Sequence, residues 1–510
     1  MDTTNNKRKL ILSLVLLTSV VLLGTFAWYV WSSKDNTSMN VTIGDLADVS
    51  FKTGNDINIT NLSPSFNYDD GALTEFSIRK KKGLTTDLYT NIYLDITSIS
   101  DTLKSPSFKY ELLSSSDGNT YNNVSSGNFQ DASIGKLNIL VNTPLADGKT
   151  YYKLYIWIDG NEENNTSMQS SSMKGVLNVK VTTPPVNAVT LVEGLDDSTT
   201  GDSGSGVYKV QHNAIASSDS ATGSEIPAVT DYRYYGADPS NYICLDMEGQ
   251  STCPDRGLFR IIGSIYEENA GKNLIKVIKA TSLTDGTTSE FSWDFKVNNG
   301  SGSYNNVWSS TTSGTSNGAT LMQLLNGIYL TRGSGSYYNG SITATTVNFS
   351  STGLTDVVQS LMNTGKSNNG LSKYYLGGYS DTSLKTDAIY LAERDKTTSS
   401  GNALYWDGKV GLMYPSDYGY AAGNDCVTNT APYDYDNGCR NKDWLYRINR
   451  YEWTMTPNAS GTKYVWSVLY GYARNADTCN PYGARPTFYL KSDISVTDGT
   501  GTSSDPYIVK

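Results

Sequence analysis

Between Tyr470 and Leu490 the chain reads YGYARNADTCNPYGARPTFYL, crowding tyrosine, asparagine, arginine and aspartate ahead of a short apolar strand. Tyrosine supplies a rigid ring with a polar tip, while Asn, Asp and Arg supply directional hydrogen bonds. That mixture suits recognition of sugars or protein loops better than it suits bond making. The whole chain leans the same way, with Tyr 37 against Phe 11, although the β propensity of tyrosine explains such a balance on half-buried strands as well.

Chemistry that needs an imidazole has a single candidate, because the sequence holds His 1. His212 lies in VYKVQHNAIASSDS, a polar serine-rich connector in which a solvated ring is expected, whereas hydrolase triads and histidine-rich zinc sites need a well-placed one. A carboxylate-dependent glycan hydrolase stays open among 50 Asp and Glu residues, yet no pair stands out. The cysteines number 5. Cys244 and Cys253 flank one short loop and Cys426 and Cys439 another, so two local disulfides are the simplest pairing outside the cell, each contributing about 2–3 kcal/mol by loop closure. Cys479 is left over. A metal centre lacks CxxC spacing and a nearby histidine. No cofactor is expected, and calcium has no supporting motif, since the acidic GLDDSTTGDSGSG lacks the ligand spacing and terminal glutamate of an EF-hand. A net charge of -10 provides no basic field for nucleic acid.

These residues must be carried by folded elements, and 510 residues exceed what one core usually supports. Residues 1–33 carry KRK at Lys7–Lys9 and continue into an uncharged apolar run of about 22 residues, long enough as a helix to cross a bilayer. Trp28, Tyr29 and Trp31 after it fit an interfacial anchor, which places the remainder outside a single-pass membrane protein; cleavage as a signal peptide, giving a secreted chain, is the alternative. Residues 34–183 alternate apolar and polar side chains between Asp/Asn/Gly/Ser turns, as in TNIYLDITSI, TYYKLYIWIDG and GVLNVKVTT, and read as an all-β sandwich. In YKLYIWID, Leu154, Ile156 and Ile158 point one way and Tyr155 and Trp157 the other, which suits a central strand covered on both faces.

Residues 184–230 are dominated by Gly, Ser, Asp and Thr and read as a flexible linker. From Asp231 the pattern becomes α+β. GLFRIIGSI and KNLIKVIKAT form a hairpin, and two helices carry apolar stripes at Leu321, Leu324, Leu325 and Ile328 and at Leu354, Val357, Val358 and Leu361. GKVGLMYPSDYGYA, NKDWLY, YEWTMTPN, YVWSVLY and RPTFYL read as brief strands strung between polar loops.

The N-terminal apolar segment followed by a sandwich resembles exported biofilm-fibre and camelysin-type subunits of Gram-positive bacteria. Farther on, TDYRYYGADPSNYICL, CPDRGLFRIIGSI, YLGGYSDTS, KVGLMYPSDYGYA, NKDWLY, YEWTMTP and YGARPTFYLKSDISVTDGTGTSSDPYIV, in that order over 231–510, resemble a group of exported proteins from gut Firmicutes. Their C-terminal region is similar to the broad C-type-lectin fold shared by formylglycine-generating-enzyme-like and retroelement-diversified binding domains. The resemblance implies a ligand surface at Tyr464, Trp466, Tyr470, Tyr472, Arg474, Asn475, Asp477, Asn480 and Tyr482. It also implies a structural turn at Gly483, Arg485 and Pro486. Strand alternation across YVWSVLYGY sends Tyr464, Trp466, Val468 and Tyr470 to one face and Val465, Ser467 and Leu469 to the other, so some of these aromatics only pack. The cysteine pairs of the formylglycine-generating enzymes are not matched by Cys479, and the WND, EPN and QPD motifs of calcium-dependent sugar-binding lectins do not occur. DYDNG, Asp434 to Gly438, reads as a turn inside a disulfide loop. The expectation is a surface-anchored binding protein, an adhesin for host or bacterial glycan or protein. A glycan hydrolase and a structural fibre subunit are the rival readings.

Overall fold

The computed structural model describes residues 46–510, apart from residue 53 and residues 85–86, 162–164, 197–204, 248–251, 364–370, 396–400 and 447–450. The apolar run at 10–31, with the membrane helix or signal expected there, lies outside the described residues. Among those described, no helix is long and apolar enough to cross a membrane. Strands dominate the chain. It divides into two compact units at Pro184/Pro185.

The first unit is built from nine strands: β1 (Ala47–Phe51), β2 (Asp56–Thr60), β3 (Ala72–Lys80), β4 (Tyr89–Ile99), β5 (Phe108–Ser115), β6 (Asn122–Asn128), β7 (Gly135–Pro144), β8 (Lys149–Ile158) and β9 (Ser172–Thr182). They form two antiparallel sheets, β1-β3-β8-β5-β6 and β2-β9-β4-β7. The period of two places one side chain in every pair inward. On β4 the buried set is Thr90, Ile92, Leu94 and Ile96, and on β9 it is Met173, Gly175, Leu177 and Val179. These meet Phe76, Ile78, Leu112, Leu154, Ile156 and Ile158 of the opposite sheet in one apolar core. β8 is the central strand of its sheet. On its outer face the Tyr68 ring packs against Tyr155 and Trp157, with centroids 5.1 and 6.1 Å away.

The second unit contains a nine-stranded sheet. Its centre is the hairpin Leu258–Glu267 and Lys272–Lys279, almost continuously buried because both faces are covered. The segment expected to be a flexible linker joins this sheet. Val186–Asn187 pairs with Ser495–Val496, Asn187 caps the helix Ala188–Gly194, and Gly206–His212 pairs in full register with Val229–Tyr235. The reason is local. Tyr208, Val210 and His212 turn inward while Lys209 and Gln211 stay exposed, an alternation masked by the surrounding serines and glycines.

Helices are more numerous than the two stripes indicated. Thr320–Leu324 and Asp356–Leu361 are present, although Val357 stands outside its stripe at 52% exposure. Thr386–Arg394 and Pro415–Ala421 are helical too. The latter corrects the reading of YPSDYGYA as a strand: Pro415 starts the helix, and Asp417 accepts a hydrogen bond from the Tyr414 N–H at 2.9 Å. NKDWLY is a series of turns rather than a strand. Tyr451–Pro457, Tyr464–Leu469 and Thr487–Tyr489 are strands.

Candidate functional site: a tyrosine-arginine hairpin turn

Two strands, Tyr464–Leu469 and Tyr472–Asp477, pair antiparallel from Tyr464↔Asp477 to Leu469↔Tyr472, with Tyr451–Pro457 alongside as the third strand. Two residues join them. Tyr470 has φ +53° and Gly471 φ +84°. A two-residue hairpin turn needs this left-handed pair because its twist matches that of the strands, and Asn-Gly is the usual solution. Glycine suits the second position: a Cβ at Gly471 would stand 2.9 Å from the Arg440 side chain. Tyrosine at the first is the exception, since a bulky side chain with positive φ is strained.

Around this turn the rings gather. Tyr470, 53% exposed, meets Tyr451 edge-on at 4.7 Å; Tyr451 lies 5.0 Å from Tyr482, and Tyr482 lies 4.8 Å from the buried Trp453. The Tyr451 hydroxyl is pushed up to about 12, first by its hydrogen bond with Tyr470, so it remains protonated at physiological pH. Beside them the Arg440 guanidinium stands 5.4 Å over Tyr472, donating to its hydroxyl at 3.2 Å and to the Tyr470 carbonyl at 3.3 Å. Arg474 lies 3.5 Å over Tyr433 and 4.9 Å over Tyr472. Two cations thus share one ring between them.

The remaining residues of the expected surface go elsewhere. Trp466 is buried, stacks on Tyr379 at 4.2 Å and 10°, and donates from Nε1 to the Tyr379 carbonyl at 2.9 Å, so it is a packing residue. Tyr464, Asp477 and Asn480 lie at the opposite end of the hairpin, roughly 16 Å from the turn at ~3.3 Å per residue. There Asp477 accepts from the Cys479 N–H at 3.3 Å and its carbonyl accepts from the Asn480 N–H at 3.1 Å. Asn475 is exposed midway, opposite Trp466. The nine residues therefore do not make one patch: Tyr470, Tyr472, Arg474 and Tyr482 do, and they are joined by Arg440, Tyr451 and Tyr433.

The terminal turn holds this patch from below. Arg485 is buried and donates from Nη2 to Glu452 Oε2 at 2.6 Å and to the Leu445 carbonyl at 2.8 Å. Gly483 exchanges backbone hydrogen bonds with Tyr451 and Trp453, and the Pro486 carbonyl accepts from Lys279 N–H at 3.0 Å. The disulfides pair Cys244 with Cys253 and Cys426 with Cys439. The second anchors the helical turn Asn437–Arg440, whose N-terminal N–H groups are capped by Asp436 at 2.7 and 3.1 Å. That is how Arg440 reaches the site. In DYDNG, therefore, Asp436 is engaged by its own backbone. Cys479 is a free, half-buried thiol.

A buried ionic chain lies behind the turn. His212 is not solvated as its surroundings suggested: it is 8% exposed, its Nε2 lies 3.0 Å from Asp231 Oδ2, and its ring stacks on Tyr390 at 3.7 Å. Burial lowers its pKa, with Asp231 opposing. Arg233 donates to Asp231 at 2.7 Å and to Asp417 at 3.0 Å, and Lys276 donates to Asp417 at 2.6 Å. Burial alone would raise the Asp231 carboxyl, but the Arg233 guanidinium and His212 bring it well below the usual range. Asp417 belongs to the helix Pro415–Ala421, and one residue on, the Tyr418 hydroxyl donates to the Gly471 carbonyl at 2.8 Å. The chain from His212 to Gly471 is continuous.

Sequence reading missed Arg440, Tyr451, Tyr433 and Tyr418. Only Arg440, adjacent to a disulfide cysteine, carried a signal. Among the described residues no group of three or more His, Cys, Asp or Glu is placed to hold a metal ion. The site offers rings, phenols and guanidiniums but no imidazole. No family model matches the chain, and no curated protein is significantly similar to it.

Proposed function

We propose that the protein is a cell-surface ligand-binding protein, an adhesin, whose recognition patch is the Tyr470–Gly471 turn with Tyr451, Tyr472, Tyr482, Arg440 and Arg474. The observation that carries this reading is Tyr470 itself: a half-exposed aromatic side chain held at positive φ in a turn where asparagine would sit without strain. Strain of that kind persists where the surrounding structure imposes it, and here Tyr418 and Arg440 bond to the turn carbonyls on both residues.

Rigid rings lose little entropy on binding, and the paired guanidiniums favour partners with carboxylate, hydroxyl or carbonyl oxygens. Glycan and protein ligands both fit. The likeness of 231–510 to C-type-lectin-like binding domains is part of this proposal, as is the anchoring of the chain by residues 10–31.

The test is display of the full chain on glycan and protein arrays beside a Tyr470→Asn/Tyr472→Ala/Arg474→Ala variant. Binding by the native chain that the variant loses supports the reading. Equal signals from both would overturn it.

A further inference from the structure

The sandwich unit breaks its own pattern at one end. Along β5 and β8 the inward positions are apolar through Tyr110↔Ile156 and Leu112↔Leu154. The next row is Asn122, Ser114 and Tyr152, side by side across β6, β5 and β8, with Tyr152 buried, Ser114 half-buried and Asn122 exposed, and the row beyond it carries the half-buried Thr150 opposite the buried Ile78. At this end the apolar face gives way to hydroxyl and amide side chains that reach the surface.

Where they do so the two sheets enclose a cleft of about 460 Å³, within the range of small-molecule sites. Val124, Leu140 and Pro144 form its apolar wall. Tyr152 forms its floor, 4% exposed, with its ring stacked on Phe76 at 5.1 Å and 10° and its hydroxyl pushed up to about 12 by burial. The side chains of Ser114, Asn122 and Thr150 make no hydrogen bond among the described residues. A sandwich fills such positions with Leu, Ile or Val when only packing is at stake, and local departures of this kind mark functional sites.

The lining also disfavours an anionic ligand. It contains no Lys or Arg. Its carboxylate, Asp117, is held down to about 2 by the N–H groups of Asn119 and Thr120 and by the Ser115 hydroxyl, so it is engaged with its own turn. We propose that this cleft binds a neutral, hydroxyl-rich ligand, a sugar unit whose apolar face lies against Val124, Leu140 and Tyr152 while Ser114, Asn122 and Thr150 exchange hydrogen bonds with its hydroxyls. Free sugar and the end of a glycan chain present the same chemistry. This inference is independent of the hairpin patch.

The experiment is saturation-transfer NMR on the full chain with glucose and N-acetylglucosamine as free sugars and cellotriose and chitotriose as chain ends. Transfer from at least one probe is expected, weakened about tenfold in affinity by Ser114→Val/Thr150→Val, which removes two neutral hydrogen bonds. Val124→Trp, which fills the cleft from its rim, is expected to abolish it, while Ile342→Ala, at an exposed position outside both the cleft and the hairpin patch, leaves it unchanged. A preference for the trimers assigns a glycan end and equal binding a free sugar. No transfer from any of the four probes overturns the proposal. So does transfer that survives both cleft variants.

Discussion

The two units keep their charges in different places. Among the described residues of the sandwich no Asp, Glu, Lys or Arg is buried, and its buried polar side chains are Asn, Ser and Thr. Every buried charged side chain that is described falls between Asp231 and Arg485. Regular sheets satisfy their own backbone, so the sandwich needs only apolar faces. The distal unit is strung from short elements and loops, and it uses side-chain bonds between distant segments, such as Asp417 with Lys276 and Arg485 with Glu452, to hold them in one arrangement. The difference teaches which unit tolerates substitution at a surface: a patch supported by buried ion pairs depends on residues far from it.

The largest effect should come from cutting that support. Asp417→Asn leaves Arg233 and Lys276 buried beside a neutral side chain, and such breaks cost about 3–5 kcal/mol. Calorimetry of the full chain should show the transition of the distal unit falling by that amount while the sandwich transition stays in place. Coincident shifts of both would show that the units do not unfold separately. Leu154→Ala is the mirror experiment: a cavity in the sandwich core, about 3 kcal/mol by the usual range for such truncations, felt by the sandwich transition alone.

Next in size is the second disulfide. Replacing Cys426 and Cys439 by Ala should cost the distal unit about 3 kcal/mol by loop closure and loosen Arg440 from Tyr472, read as a lower chemical denaturation midpoint and faster proteolysis near residue 440.

A pH effect should separate the units as well. Burial raises the Glu393 carboxyl to about 7 against its ordinary 4.5, opposed by Arg394 and Ser416. A carboxyl raised in the folded state stabilises below pH 4.5 and loses that contribution as pH rises through 7. Glu393→Gln should therefore flatten the decline of the distal transition between pH 5 and 7. His212 acts in the other direction: its lowered pKa contributes stability above pH 6.5 that is lost as pH falls. An unchanged pH profile in the glutamine variant would remove Glu393 from the account.

Much of the sandwich was legible in the sequence because alternation in β4, β8 and β9 reports burial directly. The distal hairpin Leu258–Lys279, both local disulfides and the structural character of Arg485 were legible for similar local reasons. The helix Pro415–Ala421 was not, since it is fixed by contacts with residues 141 and 184 positions away. Nor was the division of the hairpin surface. Alternation says that Trp466 and Asn475 share a face, but only Tyr379, 87 residues upstream, decides that the tryptophan is covered. His212 misled for the opposite reason: a polar neighbourhood in sequence was taken for a wet one in space, whereas Gly206–His212 is a paired strand whose histidine points inward.

The smallest expected effect on stability belongs to the residue that matters most to the proposal. Tyr470→Asn relieves the left-handed strain and loses the contact with Tyr451, two terms of about 1 kcal/mol each that nearly cancel. The decisive measurement is the affinity of this single variant, beside the native chain, for the ligand that the arrays return. The account predicts a loss of at least about tenfold, the order expected for removing an aromatic anchor, with the melting transition unmoved. Equal affinity in the two proteins would contradict it.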